Sequence, residues 1–159
     1  MELHIREAVA SDYDDLCVLF EETDALHREN LPHVFQKPEG PVRDEEYILG
    51  LISDKNAALF IAQIGREPVG AICVIVKESP PLPIFVPRRY AVVDNLVVKG
   101  IARRKGVGRA LMKRAERWVR AQGLESIELN VWEFNQDAIE FYRKVGYETT
   151  SRKMSKWLR

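Results

Sequence analysis

Residues 89–122 constrain the fold more than any other stretch. Arg89–Val98 reads as an apolar strand, and a short basic loop carries it into an amphipathic helix predicted over Arg103–Gln122. The junction reads Arg103-Arg104-Lys105-Gly106-Val107-Gly108, an R-x-x-G-x-G pattern. A strand, a glycine-bearing turn and a helix start in that order make a pocket for a phosphate-bearing ligand. The glycines let backbone come close, and the first-turn N–H groups point outward at the positive end of the helix dipole. Arg103, Arg104, Lys105 and Arg109 crowd that same end, where cations cost roughly 0.3–1 kcal/mol each. A bound polyanion reverses the sign of that cost. The competing reading is a solvated basic helix start whose glycines only make the turn.

Bulk properties narrow the class. A chain of 159 residues is expected to form one domain over 1–159, burying about two-thirds of its unfolded surface. No apolar run approaches the roughly 20 residues a membrane span needs. The opening Met1–Arg6 lacks a signal-peptide pattern, so a cytoplasmic location and no membrane partner are expected. Cys17 and Cys73 lie far apart in apolar surroundings and read as core residues. His4, His27 and His33 have no metal-ligand spacing, so no metal is expected.

The formal net charge is zero, yet residues 1–56 carry −9, residues 57–98 carry +1 and residues 99–159 carry +8. A basic half favours an anionic partner and an acidic half a cationic one. Nucleic acid fits poorly: the basic helix has only Trp118 as an aromatic, and its apolar stripe (Val107, Leu111, Ala115, Trp118, Val119) is committed to a core.

The remaining elements follow from periodicity. Leu3–Arg6 alternates as a strand. Ser11 with Asp14 approximates a capping box for a helix running to about Leu26, and a second helix spans Arg43–Ser53. Ala57–Gln63 and Pro68–Lys77 form a hairpin about Gly65-Arg66-Glu67. The proline-rich 79–87 stretch is a loop. Ser126–Val131 is a strand, and Asn135 caps a fourth helix carrying Ala138, Ile139, Tyr142 and Val145, stopped by Gly146. Tyr147–Thr150 and Lys153–Leu158 are predicted as closing strands. Mixed α/β order of this kind packs as three layers, α/β/α.

Asn135 and Tyr142 lie two helical turns apart on one side. Their segment reads Asn135-x-x-Ala138-x-x-Phe141-Tyr142-x-x-x-Gly146-Tyr147. Alone it describes a capped helix with an aromatic core face. Together with Arg103–Gly108 and the opening Ile5-Arg6-Glu7-Ala8, it resembles the GNAT superfamily of acetyl-CoA-dependent N-acetyltransferases. The likeness covers essentially the whole chain and its element order. A dinucleotide-binding reading fits worse, because Leu111 stands where a third glycine is needed.

The resemblance implies a GNAT-like fold with a mixed, centrally splayed sheet, and acetyl-CoA bound between Arg89–Val98 and Ser126–Val131. Main-chain groups of Leu96, Val97 and Val98 would pair with the pantetheine arm. The segment Arg103, Arg104, Lys105, Gly106, Val107, Gly108 and Arg109 would hold the pyrophosphate. Asn135 would contact the arm, Tyr142 would protonate the departing thiolate, and the Val98 amide would stabilise the oxyanion. Asp94 is the first candidate for general base, on the argument that 94, 96 and 98 share a strand face; Glu133, Tyr47 and a water chain are rivals. Some family members carry a catalytic glutamate two residues before that position, where this chain has Val92.

The acceptor would be a cationic amine, drawn by Glu21, Glu22, Asp24, Glu29, Asp44, Glu45 and Glu46 near Tyr47, His27, His33 and Phe35. A homodimer follows from what is common in the family, since no interface is legible in the sequence. The alternative is a non-catalytic acyl-CoA-binding regulatory or partner-binding module of the same fold.

Overall fold

The computed structural model describes residues 2–159. Five strands, β1 (Leu3–Glu7), β2 (Ala57–Ile64), β3 (Glu67–Glu78), β4 (Arg89–Val98) and β5 (Ile127–Leu129), lie side by side in sequence order. The first four pair antiparallel and β5 joins β4 in parallel. Helices α1 (Tyr13–Asn30) and α2 (Glu45–Ser53) cover one face; α3 (Val107–Ala121) covers the other, and α4 (Gln136–Lys144) packs beside it.

Strand alternation sorts the core into two faces. Phe60, Ile72, Val74 and Val93 meet Leu111, Met112 and Ala115 of α3. Leu59, Ile61, Cys73 and Val97 meet Leu16, Leu19 and Phe20 of α1 and Ile48 of α2. This is the three-layer α/β architecture the sequence indicates.

One irregularity organises the rest. Cys73 opposes Asn95 but Val74 opposes Val93, so Asp94 is an extra residue, a β-bulge, in β4. Ala91 and Val93 face α3 before it; after it Leu96 and Val98 do, while Val97 turns to the α1/α2 side. Pairing with β5 ends at Val93–Leu129, at the bulge. A bulge bends its strand and increases local twist, and beyond this one the two parallel strands part.

Several boundaries differ from expectation. A one-turn 3₁₀ helix, Ala10–Asp12, precedes α1, and Asp12 rather than Ser11 makes the capping bond, accepting the Val9 N–H at 2.7 Å. Helix α1 continues past Leu26 to Asn30, because Pro32 disfavours helix only from residue 31 onward. The second helix begins at Glu45, not Arg43, and the third at Val107, not Arg103. The fifth strand shrinks to Ile127–Leu129.

The closing strands at Tyr147–Thr150 and Lys153–Leu158 are not formed. The segment joins no ladder, although β5 leaves its outer edge unpaired, and Met154 and Leu158 stand 89% and 86% exposed. The splay therefore borders the sheet's open edge instead of its middle. Of the cysteines, Cys73 is buried while Cys17 is only half-buried.

Candidate active site

Where β4 and β5 part, main-chain groups are left free. The Lys99 N–H donates to the Val69 carbonyl of β3 at 2.8 Å. Antiparallel alternation then points the N–H and C=O of Val97 at β3, and those of Leu96 and Val98 at the opposite edge. That edge faces the gap. The Val98 carbonyl accepts a long 3.4 Å contact from Arg103 Nε there. Of the three residues expected to pair with a bound arm, Leu96 and Val98 thus present their main chain. Val97 does not: its side chain is buried in the α1/α2 core.

The gap leads into the glycine loop. A 3₁₀ turn, Gly100–Ala102, is held by Glu22 of α1, whose carboxylate accepts the Gly100 N–H at 2.7 Å. Arg104 then takes φ 63° and Gly106 φ 80°, both left-handed. For arginine that conformation costs roughly 1–2 kcal/mol. Gly106 is the N-cap of α3, no side chain caps the helix, and its first backbone bond is Ala110 N–H to the Gly106 carbonyl. The amides of Val107, Gly108 and Arg109 therefore lack intrahelical partners.

The two glycines divide the work. A Cβ on Gly106 would meet nothing within 4 Å, whereas one on Gly108 would sit 3.1 Å from the Phe141 ring. Gly106 keeps the mouth open; Gly108 lets α4 pack against α3. Arg103, Arg104, Lys105 and Arg109 are exposed. A groove of about 340 Å³ continues from Arg109 past Lys113 and Glu116 to Lys144 and Gly146. Unpaired amides, an open Gly106 and this run of cations fit a diphosphate with a nucleotide beyond it.

Helix α4 brings the second motif to the gap. Asn135 Oδ1 accepts the Ala138 N–H at 3.2 Å, which caps the helix and leaves the carboxamide nitrogen unengaged among the described residues. Tyr142 packs edge-on against Phe141 (5.3 Å between ring centroids) and Tyr147 (6.0 Å). Burial pushes its phenol up to about 12, so it stays protonated at neutral pH. The Tyr147 hydroxyl donates to Glu116 at 3.1 Å.

Asp94 is displaced from its expected face. The bulge sets it toward α1 and α2, opposite to Leu96 and Val98, so the alternation argument for it fails. There it adjoins Tyr47 and Cys73: both are pushed up first by burial and then by the Asp94 carboxylate, Cys73 to about 12. Arg88 pairs with Glu128 and Arg89 with Glu78, and neither pairs with Asp94.

The acidic helix face is partly spent on the fold. Glu21 pairs with Arg28, Asp24 with Arg43 at 2.7 Å, and Glu22 holds Gly100. The rings sort differently. His33 meets Trp157, while His27, Phe35, Trp132 and Phe134 form one edge-on assembly. The bulge and that assembly escaped sequence reading. The polar pair Asp94-Asn95 inside an apolar strand was the signal for the first; nothing local links the rings. Among the described residues no three His, Cys, Asp or Glu side chains converge to hold a metal, and no helix is long and apolar enough to cross a membrane.

A strand gap opening onto an uncapped, cationic helix start suits an extended anionic ligand. Residues 20–147 match the model of the acetyltransferase (GNAT) family, and the chain belongs to that family. An uncharacterized N-acetyltransferase of Methanocaldococcus jannaschii is 26% identical over 113 residues, 71% of this chain and 48% of that protein. The chain spans less than half the length of the curated relatives it matches. Among solved structures, a tetramutant of the BH1408 protein of Bacillus halodurans superposes with TM-score 0.91 at 23% identity, covering 98% of this chain and 99% of that one. AAC(6')-Iy, in complex with the bisubstrate analog CoA-S-monomethyl-acetylneamine, superposes with TM-score 0.76 at 16% identity, covering 100% of this chain and 99% of that one. These likenesses concern the fold.

Proposed function

We propose that the chain transfers an acetyl group from acetyl-CoA to a primary amine, by direct attack while both are bound. The observation that most supports this is continuity: the edge of Leu96 and Val98, touched only by Arg103 Nε among the described residues, leads through the Gly100–Ala102 turn to the uncapped start of α3. An extended amide-bearing arm pairs with the first, and a diphosphate takes the amides from Arg104 to Arg109 and the charge of Arg103, Arg104, Lys105 and Arg109. Arg109, Lys113 and Lys144 then meet the nucleotide end. The free nitrogen of Asn135 donates to the arm. Bound acetyl-CoA supplies the activated acetyl thioester.

The Val98 N–H faces the gap and would donate to the acyl oxygen as negative charge gathers on it. Tyr142 would donate its proton to the departing sulfur. A thiol of ordinary pKa about 8.5 would not take a proton outright from so weak an acid in water. Against the same apolar wall the departing thiolate is desolvated too, which raises its proton affinity. An alkylamine has an ordinary pKa near 10.4, so it must lose a proton before or during attack. Asp94, exposed on the acceptor side and in no ion pair among the described residues, would take it. Tyr47 does not compete as a base, since its phenol is held above the ordinary value of 10.0.

Calorimetric titration tests this reading, with acetyl-CoA, free CoA and adenosine 3′,5′-bisphosphate as ligands. One-to-one micromolar binding of acetyl-CoA is expected, and no heat at millimolar ligand would remove the cofactor site. Tyr142→Phe should then lower kcat roughly 10- to 1000-fold with acetyl-CoA affinity unchanged; a full-rate variant would remove Tyr142 from the mechanism.

A further inference from the structure

We infer that the acceptor is a primary amine carried on an apolar or aromatic body, and that Phe35 and Trp132 form the corner that receives it. The inference rests on the acetyltransferase reading and narrows its substrate.

Trp132 lies in the connection between β5 and α4, which leaves the carboxyl end of β5 where β4 and β5 diverge. Phe35 lies in the connection between α1 and α2. The two rings come together from these separate connections, 5.7 Å apart and 85° from coplanar. Phe35 remains 36% and Trp132 39% exposed. Two available ring surfaces at nearly a right angle make a corner, which can hold a flat or branched apolar group on two sides.

The corner is held from behind. His27 packs edge-on against Phe35 at 5.5 Å and against Phe134 at 5.6 Å. Its Nδ1 lies 2.8 Å from the Thr23 carbonyl; because a carbonyl only accepts, Nδ1 carries the hydrogen and the ring is fixed on α1. Backbone bonds fix both rings' segments, from Phe35 N–H to the Leu31 carbonyl at 2.9 Å and from Asn135 N–H to the Trp132 carbonyl at 3.0 Å. The corner is therefore joined to Asn135, three residues from Trp132, and so to the acyl end of the gap.

Its chemistry selects. Ring faces attract an ammonium group and pack against apolar or aromatic surface. They cannot pair with hydroxyl groups, whose unsatisfied burial is costly. With Glu21 paired to Arg28 and Asp24 to Arg43, residues 21–46 still hold six further carboxylates against Lys37, which favours a cationic ligand. An arylalkylamine satisfies both conditions; a polyhydroxylated aminoglycoside satisfies only the charge.

The test compares 2-phenylethylamine, tryptamine, spermidine and kanamycin by thiol release from acetyl-CoA, with wild type, Trp132→Ala, Trp132→Phe and Phe35→Ala. Acetyl-CoA affinity of each protein is titrated in parallel. Arylalkylamines should exceed kanamycin and spermidine in kcat/KM by about 10-fold or more, the scale on which one apolar pocket discriminates. Trp132→Ala should raise KM for tryptamine about 10-fold with kcat nearly kept, and Trp132→Phe should restore most of it. Preference for kanamycin or spermidine, or an unchanged KM in Trp132→Ala, would overturn the corner while leaving the acetyltransferase reading intact. Acetyl-CoA binding without thiol release from any of the four amines would overturn the catalytic reading and the corner together.

Discussion

Helices α1 and α3 begin alike and are finished differently. Each follows a sheet strand through one turn of 3₁₀ helix, Ala10–Asp12 before α1 and Gly100–Ala102 before α3. Ahead of α1 the chain supplies a side-chain partner for its 3₁₀ turn. The Asp12 carboxylate takes the Val9 N–H and both Arg6 guanidinium nitrogens at 2.8 Å, and Arg6 Nε is anchored on Gln63. Asp12 is buried and balanced, with Asp14 and Asp15 adding favourable charge in the first turn. At α3 a glycine without a side chain stands at the cap, cations gather instead of anions, and amides are left open. The first start is neutralised from within the folded chain. The second leaves amides and cations that an anion from outside would meet.

That contrast can be broken or sharpened by substitution. The largest effect is expected from Gly106→Asp, which puts an anion and a strained left-handed residue where the open cap stands. Acetyl-CoA affinity should fall about 100-fold or more by titration, and unchanged affinity would abolish the contrast. Asp12→Asn should do the reverse: unfolding by denaturant should show a loss of roughly 1–2 kcal/mol with acetyl-CoA affinity untouched.

The pH dependence gives Asp12 a second signature. The Arg6 guanidinium holds its carboxyl below the ordinary value of 3.8. Its stabilisation is therefore fully present above that value and disappears as pH falls through the lowered folded one. The stability gap between wild type and Asp12→Asn should be open at pH 7 and close in acid; a gap independent of pH would deny the pair its role. The smallest effect belongs to Gly108→Ala. Its methyl meets the Phe141 ring, so stability should drop by about 1 kcal/mol while acetyl-CoA affinity holds, and Phe141→Leu should recover part of the loss.

Legibility in the sequence followed the range of the forces involved. The strand Arg89–Val98, the strand expected at Ala57–Gln63 and found at Ala57–Ile64, the stripe on α3 and the Asn135 cap are set by near neighbours and by period, and they stand within a residue of where the pattern placed them. The strands expected at Tyr147–Thr150 and Lys153–Leu158 required a partner that no local pattern guarantees. Asp94 was expected on the face of Leu96 and Val98 and lies on the opposite one, because strict alternation cannot anticipate an extra residue. The acidic run on α1 looked like a field for the acceptor, yet Glu21, Glu22 and Asp24 are held by Arg28, Gly100 and Arg43, partners up to 78 residues distant. The ring corner joins segments about a hundred residues apart, and only the folded chain shows it.

The bulge at Asp94 makes the parting of β4 and β5 a matter of one residue. Removing Asp94 would return β4 to strict alternation with every other pair to β3 kept, so Leu96 and Val98 would hold their present edge and only the bend would go. A lost residue in the proline-rich loop 79–87 shifts only a connection. The same loss inside this strand would remove the bend at which pairing with β5 ends, so the length of β4 carries as much information as its composition.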